Sequence, residues 1–214
     1  MMIPTLEFSE LLITKICHDL AAPVGAVYNG VEFIESEKLH DLKGNKAYGL
    51  ISENSEIAVN KIKFFRYIYG KSDSEGEVDT TQLDSLAQDF FKNSKIKIAF
   101  NNEKDAKNYI KLTNRSGRLA LILTTLAANC MIYGGEIIIY LRRSDKGKRI
   151  VVSGVSEKAV KHSDELNSII NKPSHKEIKL QNVVMHLAGL LATDLNSSIN
   201  VAQSSNEIKF TLDL

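Results

Sequence analysis

The sequence predicts an α+β protein in which an antiparallel helical hairpin precedes a two-layer α/β sandwich. Three observations predict this fold class. Residues 5–36 and 45–69 repeat apolar side chains at three- and four-residue steps, which is the period of an amphipathic helix. The polar segment 71–79 marks a boundary between domains at residues 1–72 and 79–214. Beyond it, short alternating stretches typical of strands are interleaved with helical ones, as in a layered sandwich.

The two predicted helices carry more apolar surface than one hairpin can cover. The first helix has Pro23 in its interior, which costs one backbone hydrogen bond. A lone hairpin cannot bury both apolar stripes, so it packs on the second domain or pairs with a copy of itself. A symmetric dimeric four-helix bundle is the economical solution, and we expect a homodimer. The stripe expected to be core on the first helix comprises Ile13, Ile16, Leu20, Val24, Val27, Val31 and Ile34.

The second domain mixes helices and strands in an order that predicts one layer of each. Its predicted helices span residues 80–93, 116–133, 163–171 and 176–194. Its predicted strands span residues 95–100, 109–112, 136–143, 149–154, 198–202 and 207–212. The third and fourth of these strands are joined at Asp145-Lys146-Gly147, which predicts a hairpin.

Composition excludes several classes of function. The chain has 214 residues, 43% of them apolar, and 27 Lys and Arg against 26 Asp and Glu. A formal net charge of +1 argues against nucleic-acid binding through bulk charge. Two cysteines far apart in sequence favour a reduced compartment. No uninterrupted apolar run approaches the ~20 residues of a membrane span, and no basic cluster suggests a signal peptide. We therefore expect a cytoplasmic protein that contacts no membrane.

The most informative residue is His18, which lies on the first helix opposite the apolar stripe. At about 100° per residue, the residues around it are small or polar. They are Thr14, Ala22, Gly25 and Asn29, with Glu32 beside them. This arrangement predicts an exposed nucleophilic histidine that another protein approaches closely, with these five residues contacting the partner.

A neutral imidazole is a competent nucleophile near pH 7 and can attack the phosphorus of an acyl phosphate. Such phosphoryl transfer needs mainly positioning and charge neutralisation. An adjacent acid can bind one ring nitrogen and make the other more nucleophilic, and Asp19 is the nearest candidate. Helix geometry directs Asp19 about 100° away from His18, so the structure must decide.

The remaining candidates have plainer interpretations. A second His-Asp-Leu string at His40 lacks the proline and the small face and is taken as coincidence. No metal-ligand spacing links His162, His175 and His186 with one another or with the cysteines. The basic residues of the second helix are interpreted as a solvated face; they are Lys61, Lys63 and Arg66.

The segment around His18 resembles the phosphoacceptor box of histidine-kinase dimerisation helices, which runs His, acid, apolar, any, Thr or Asn, Pro. Here the residues are His18-Asp19-Leu20-Ala21-Ala22-Pro23. With Asn29-Gly30-Val31-Glu32 added, residues 11–35 resemble ChpT-type histidine phosphotransferases of alphaproteobacterial phosphorelays. Ala22 stands where kinases with phosphatase activity place Thr or Asn to orient a water, which favours simple two-way transfer.

The second domain resembles a degenerate histidine-kinase ATP-binding domain. Residues 119–133 are similar to the asparagine-box helix, with Asn129 at the last asparagine and Thr125 where another is usual. Residues 150–155 lie where kinases carry an Asp-x-Gly-x-Gly turn, yet they contain no aspartate, and residues 179–184 stand in place of a glycine-rich lid. The resemblance therefore predicts no ATP binding by this chain.

The resemblance implies a phosphorelay role. A phosphoryl group would pass from the receiver aspartate of a hybrid histidine kinase to His18, with Asp19 as its catalytic neighbour, and then to a response regulator. The chain itself would hold no cofactor or metal, and Mg²⁺ would come with the receiver domain. Two alternatives stay open: an ATP-dependent histidine autokinase, and a non-catalytic dimeric module that binds and regulates a kinase or receiver.

Overall fold

The computed structural model describes residues 5–36, 45–70, 76–101, 110–145, 147–161, 164–171 and 178–214. Its first two elements are the predicted helical hairpin, with α1 at Thr5–Ser36 and α2 at Lys46–Tyr69. Asn45 begins α2 as an N-cap because its side-chain oxygen accepts from the Ala47 N–H at 2.7 Å. The helices meet closely at Gly30, where a Cβ would lie 2.6 Å from Ile51 Cγ1.

The second domain is the expected sandwich. Its helices are α3 (Thr80–Phe91), α4 (Asn114–Cys130), α5 (Asp164–Asn171) and α6 (Val183–Asp194). Its strands are β1 (Glu77–Val78), β2 (Ile96–Asn101), β3 (Leu112–Thr113), β4 (Gly135–Ser144), β5 (Gly147–Val155), β6 (Ile199–Gln203) and β7 (Glu207–Asp213). Five strands form one sheet in the order β2-β4-β5-β7-β6, in which β2 and β4 are parallel and the other pairs antiparallel.

Inward side chains of this sheet pack on the helices and form the core. The centre of that core is α4, whose residues from Leu119 to Leu123 are all fully buried. The predicted α+β class is thus confirmed.

Several element boundaries differ from the sequence prediction, and three of the differences have a clear cause. Helix α6 begins at Val183 rather than at 176, because the Asn182 side chain accepts from the Lys179 N–H at 2.8 Å and closes a turn there. Helix α4 ends at Cys130, before the left-handed Gly134 at φ 92°. The sequence pattern places residues 77–78 in the polar connection, but they pair with β3 as β1.

The C-terminal half of α2 belongs to the same core as the second domain. Phe64 stacks on Phe90 of α3 with ring centroids 4.0 Å apart. Arg118 of α4 donates through Nε and Nη2 to the Ile68 carbonyl at 3.2 and 3.0 Å, which satisfies the C-terminal end of α2. The hairpin is therefore fixed on the sandwich, although the domain limits at 72 and 79 stay a prediction.

The apolar stripe of α1 is only partly core within one chain. Ile16 and Leu20 are half-buried against the core, whereas Ile13, Val24 and Val31 are exposed. Neither α2 nor the second domain reaches that side of α1, so these three residues are not buried within one chain, and their place in a core stays a prediction for the dimer.

By length and composition alone, one helix among the described residues, Leu6–Ser36, could cross a membrane. One such helix is weak evidence, because the core helix of a soluble protein and a signal sequence near the N-terminus pass the same test. Lys15, His18 and Asp19 interrupt the apolar sequence of this helix.

Candidate functional site

His18 projects from α1 into solvent with 74% of its side chain exposed. Asp19 reaches back towards it, and the Asp19 Oδ1 atom lies 3.1 Å from His18 Nδ1. The Asp19 side chain therefore contacts the His18 ring, although helix geometry directs its Cα–Cβ bond about 100° away. An acceptor at Nδ1 favours the tautomer with the proton on that atom, which leaves the Nε2 lone pair for nucleophilic attack.

Lys15 is the site residue that sequence reasoning missed. Its Nζ atom lies 2.6 Å from Oδ1 and 2.5 Å from Oδ2 of Asp19, so one ammonium group holds both carboxylate oxygens. Lys15 and Asp19 are largely covered, with 27% and 23% of their side chains exposed. The i,i+4 spacing of the two residues was the available signal.

Pro23 determines a second contact at Asp19. In a regular helix the N–H of residue 23 would donate to the carbonyl of residue 19, but proline has no N–H. Lys61 of α2 donates its Nζ proton to that carbonyl at 2.8 Å instead. The interpretation of Lys61 as part of a solvated face is therefore wrong, because it replaces the hydrogen bond that Pro23 removes.

A neutral phenol adjoins this cluster. Burial raises the pKa of Tyr69 well above its ordinary value, and the negative charge of Asp19 raises it further. Tyr69 packs against Phe65 with ring centroids 5.6 Å apart. Asp19 thus lies among two ammonium groups, one imidazole and one uncharged aromatic side chain.

The face of α1 around His18 is open, as predicted. Ala22 and Asn29 are exposed, and a Cβ built on Gly25 would meet no atom within 4 Å. The small size of Gly25 is not required by packing within the chain, unlike that of Gly30. Exposed Phe33 lies close to Asn29 on this helix and was not singled out from the sequence.

Two of the predicted docking residues have partners on their own helix. The Thr14 hydroxyl donates to the Glu10 carbonyl at 2.8 Å, and Glu32 accepts from the Tyr28 hydroxyl at 2.8 Å. Both side chains are nevertheless exposed. The structure thus places all five predicted docking residues on the same helix as His18, on or beside its face.

The other histidines and the cysteines add no second site in the described part of the chain. His40, His162 and His175 lie outside the described residues, and His186 is fully buried in α6. Among the residues that the structure describes, no group of three or more His, Cys, Asp or Glu side chains could hold a metal ion. Cys17 is exposed, whereas burial raises the pKa of the Cys130 thiol.

One kinase-like position of the second domain, Thr125, has its side chain engaged within its own helix. The Thr125 hydroxyl donates to the Ile122 carbonyl of its own helix at 2.7 Å. A cavity of about 660 Å³ opens where β2 begins and β5 ends, and it is lined by side chains of both signs. These charged residues are Lys95, Lys97, Lys158, Glu136 and Glu157.

Comparison with known proteins finds a matching family model and two similar phosphotransferases. The family model "Histidine phosphotransferase C-terminal domain" matches residues 80–207. "Protein phosphotransferase ChpT" of Brucella abortus (strain 2308) is 24% identical over 210 residues, which is 97% of this chain and 96% of that protein. The solved structure of a bacterial phosphotransferase superposes with a TM-score of 0.82 at 22% identity, covering 99% of this chain and 98% of that one.

Histidine kinases share the fold at greater distance. Histidine kinase AdeS of Acinetobacter baumannii gives a TM-score of 0.51 at 11% identity, over 91% of this chain and 95% of that one. Histidine kinase ThkA, solved in complex with the response regulator protein TrrA, gives 0.50 at 15% identity, over 97% of this chain and 62% of that one. These two likenesses concern the fold alone.

Proposed function

Since this chain belongs to the histidine phosphotransferase family, we propose that His18 carries the phosphoryl group in a phosphorelay. Membership in the family makes the chain a phosphotransferase. The observation that supports His18 as the acceptor is its imidazole, 74% exposed, with Nδ1 against a fixed carboxylate.

The proposed reaction is a reversible exchange between two side chains. Nε2 of His18 attacks the phosphorus of an aspartyl phosphate on a receiver domain, and the N–P bond forms as the P–O bond to the aspartate breaks. The aspartate leaves as a carboxylate with the bonding electron pair. Asp19 holds the Nδ1 proton and balances the positive charge that develops on the ring. A second receiver aspartate then takes the phosphoryl group by the reverse step.

The partners we propose are the receiver domain of a hybrid histidine kinase and that of a response regulator. The kinase neighbour solved in complex with a response regulator supports this class of partner. The small surface formed by Thr14, Ala22, Gly25, Asn29 and Glu32 allows a receiver loop to approach His18. We propose that the receiver supplies the Mg²⁺ that neutralises phosphoryl charge, and that the chain itself uses neither a metal nor ATP.

We further propose that a second copy of the chain covers the exposed apolar side of the hairpin. Exposed α1 residues Leu6, Ile13, Val24 and Val31 fall within about 20° of one another at 100° per residue. The exposed residues Tyr48, Val59 and Ile62 form a similar stripe on α2.

Each stripe is offset in the same rotational sense from the face where the two helices touch. In an antiparallel pair, this offset puts both stripes on one side of the hairpin. A homodimer would bury that side as a four-helix bundle, in a protein that we expect to act in the cytoplasm.

The relay assay tests the acceptor directly. The full chain is incubated with a phosphorylated receiver domain, and transferred phosphate is assayed for acid lability. We expect acid-labile phosphate on the wild-type chain, none on His18→Gln and an unchanged amount on His40→Gln, which alters the other His-Asp-Leu string.

Three results would overturn the proposal. Persistent labelling of folded His18→Gln would exclude His18 as the acceptor. Labelling from ATP alone would support an autokinase. A stable complex without phosphate transfer would support a non-catalytic module.

A further inference from the structure

We propose that Lys15 is a positioning residue for the reaction at His18. Its ammonium group holds the Asp19 carboxylate against Nδ1 of His18, and the ring therefore presents Nε2 to the phosphoryl group. This inference rests on the proposed role of His18 and deepens it.

The contacts form a chain of three side chains on consecutive turns of α1. Lys15 binds both oxygens of Asp19 at 2.6 and 2.5 Å, and one of those oxygens lies 3.1 Å from His18 Nδ1. By helix rotation Lys15 lies between His18 and Asp19, one turn towards the N-terminus. The carboxylate of Asp19 is thus drawn towards the side of the helix where His18 stands, although its Cα–Cβ bond points about 100° away.

The order of the Lys15–Asp19 pair is the less favourable one for helix stability. In isolated helices an acid preceding a lysine by four residues is the better order, and here the lysine comes first. The pair is also largely covered, whereas the third member, His18, is 74% exposed. A covered ion pair that supports one exposed imidazole is the arrangement expected where the orientation of that imidazole matters.

The surroundings of Asp19 indicate what would happen without Lys15. The Nζ atom of Lys61 in α2 lies 2.8 Å from the Asp19 carbonyl oxygen. The charge of the Asp19 carboxylate also contributes to the raised pKa of Tyr69, which lies on the same helix as Lys61. Lys61 is then the remaining ammonium group at Asp19, and it lies on the α2 side. We expect the carboxylate to turn towards Lys61, so that Nδ1 of His18 loses its acceptor and the tautomer is no longer fixed.

The test compares Lys15→Met and Lys15→Arg with the wild-type full chain. Phosphoryl acceptance from a phosphorylated receiver domain is measured as kcat and KM, and the tautomer of His18 is read from ¹⁵N chemical shifts. We expect Lys15→Met to lower kcat by on the order of tenfold to a hundredfold, by analogy with the loss of a group that orients a metal-ligating histidine. KM should stay unchanged, the Nδ1–H signature should be lost, and Lys15→Arg should restore both readouts.

Lys63→Met is the matched control, because Lys63 is an exposed lysine of α2 and its loss changes the net charge equally. It should leave kcat and the His18 spectrum unchanged. Wild-type kcat and an unchanged spectrum in Lys15→Met would overturn the inference, and so would a rise in KM alone, which would make Lys15 a docking residue. Absence of phosphate from wild-type His18 would instead refute the proposed function, and the ¹⁵N spectra would still decide the role of Lys15.

Discussion

At the scale of single residues, the two interior glycines of α1 have opposite reasons for being small. Gly30 is required by the hairpin, since a Cβ there would collide with Ile51. A Cβ on Gly25 would meet no atom within 4 Å. By helix rotation, Gly25 lies on the face of α1 that carries His18 and not on the face that contacts α2. A helix-interior glycine costs about 1 kcal/mol relative to alanine, and packing within the chain gives no reason for that cost at position 25, on the face that carries His18.

We therefore predict that Gly25→Leu keeps or increases stability while weakening receiver docking. The free energy of unfolding should rise by roughly 0.5–1 kcal/mol from helix propensity, as measured by urea denaturation. KM for the phosphorylated receiver should rise about tenfold, a difference of roughly 1.4 kcal/mol in binding.

The control for this prediction is Gly49→Leu on α2, where a Cβ also meets nothing within 4 Å. It should give a similar gain in stability with an unchanged KM. Equal KM values for both variants would show that receivers do not approach His18 over Gly25.

The residue scale also shows where sequence reasoning stops. The exposure of His18 followed from helical periodicity, because the opposite stripe is apolar. Periodicity does not predict the contact between Asp19 and His18, since a rotation of about 100° per residue places Cβ atoms but not side-chain ends. Lys15 was missed for the same reason: its role depends on a rotamer of Asp19, and the sequence does not specify that rotamer.

At the scale of helices and strands, Pro23 connects the two helices of the hairpin. Its missing N–H frees the Asp19 carbonyl, and the Lys61 ammonium of α2 occupies it. The hydrogen-bond cost predicted for Pro23 is therefore offset by a contact between helices next to the site. No local pattern indicates this contact, because Asp19 and Lys61 are 42 residues apart in sequence.

A double-mutant cycle tests whether the Lys61 ammonium replaces the backbone N–H that Pro23 lacks. In the wild type, Lys61→Met should lower the free energy of unfolding by about 1–2 kcal/mol, because a part-buried carbonyl loses its donor. In the Pro23→Ala background the backbone N–H gained at position 23 supplies the helical hydrogen bond, so Lys61→Met should cost much less. We expect a coupling free energy of about 1 kcal/mol from urea denaturation at fixed protein concentration.

The comparison needs both backgrounds because Pro23 is also buried and Pro23→Ala alters packing. Strictly additive costs would mean that Lys61 does not compensate for Pro23. Lys63→Met, an exposed neighbour on α2, should be neutral in both backgrounds.

Element boundaries were predicted well where apolar residues alternate or recur at helical spacing. They were predicted poorly where a side chain caps a turn. The antiparallel pair β4–β5 was evident from alternation and the turn at Asp145 to Gly147. The start of α6 was placed seven residues early, because the apolar residues after 176 fit a helix while the Asn182–Lys179 turn excludes one. The two-residue strand β1 was too short for periodicity to reveal, so its pairing with β3, which overlaps the strand predicted at 109–112, was not foreseen.

At the scale of the whole molecule, the hairpin has two apolar sides with different partners. One side, through Phe64 and Ile68, is buried in the core of the sandwich. The other side, which carries Ile13 and Ile62, is exposed in the single chain. The sequence predicts that the hairpin packs on the second domain or on a copy of itself. The structure shows the contact with the second domain, and the exposed side stays available to a second copy. A contiguous exposed apolar surface of this kind marks an interaction site.

We predict that Ile62→Glu separates a dimer into monomers. A buried unpaired carboxylate in a bundle core costs several kcal/mol in each protomer, so the mass from sedimentation equilibrium should fall from twice 23.8 kDa to 23.8 kDa. The melting temperature should fall and lose its dependence on protein concentration. Leu50→Glu is the matched control, because Leu50 is an exposed apolar residue of α2 on roughly the opposite face, and it should leave the dimer intact. A wild-type mass of 23.8 kDa, or equal dissociation by both variants, would contradict a second copy on the Ile13 and Ile62 side.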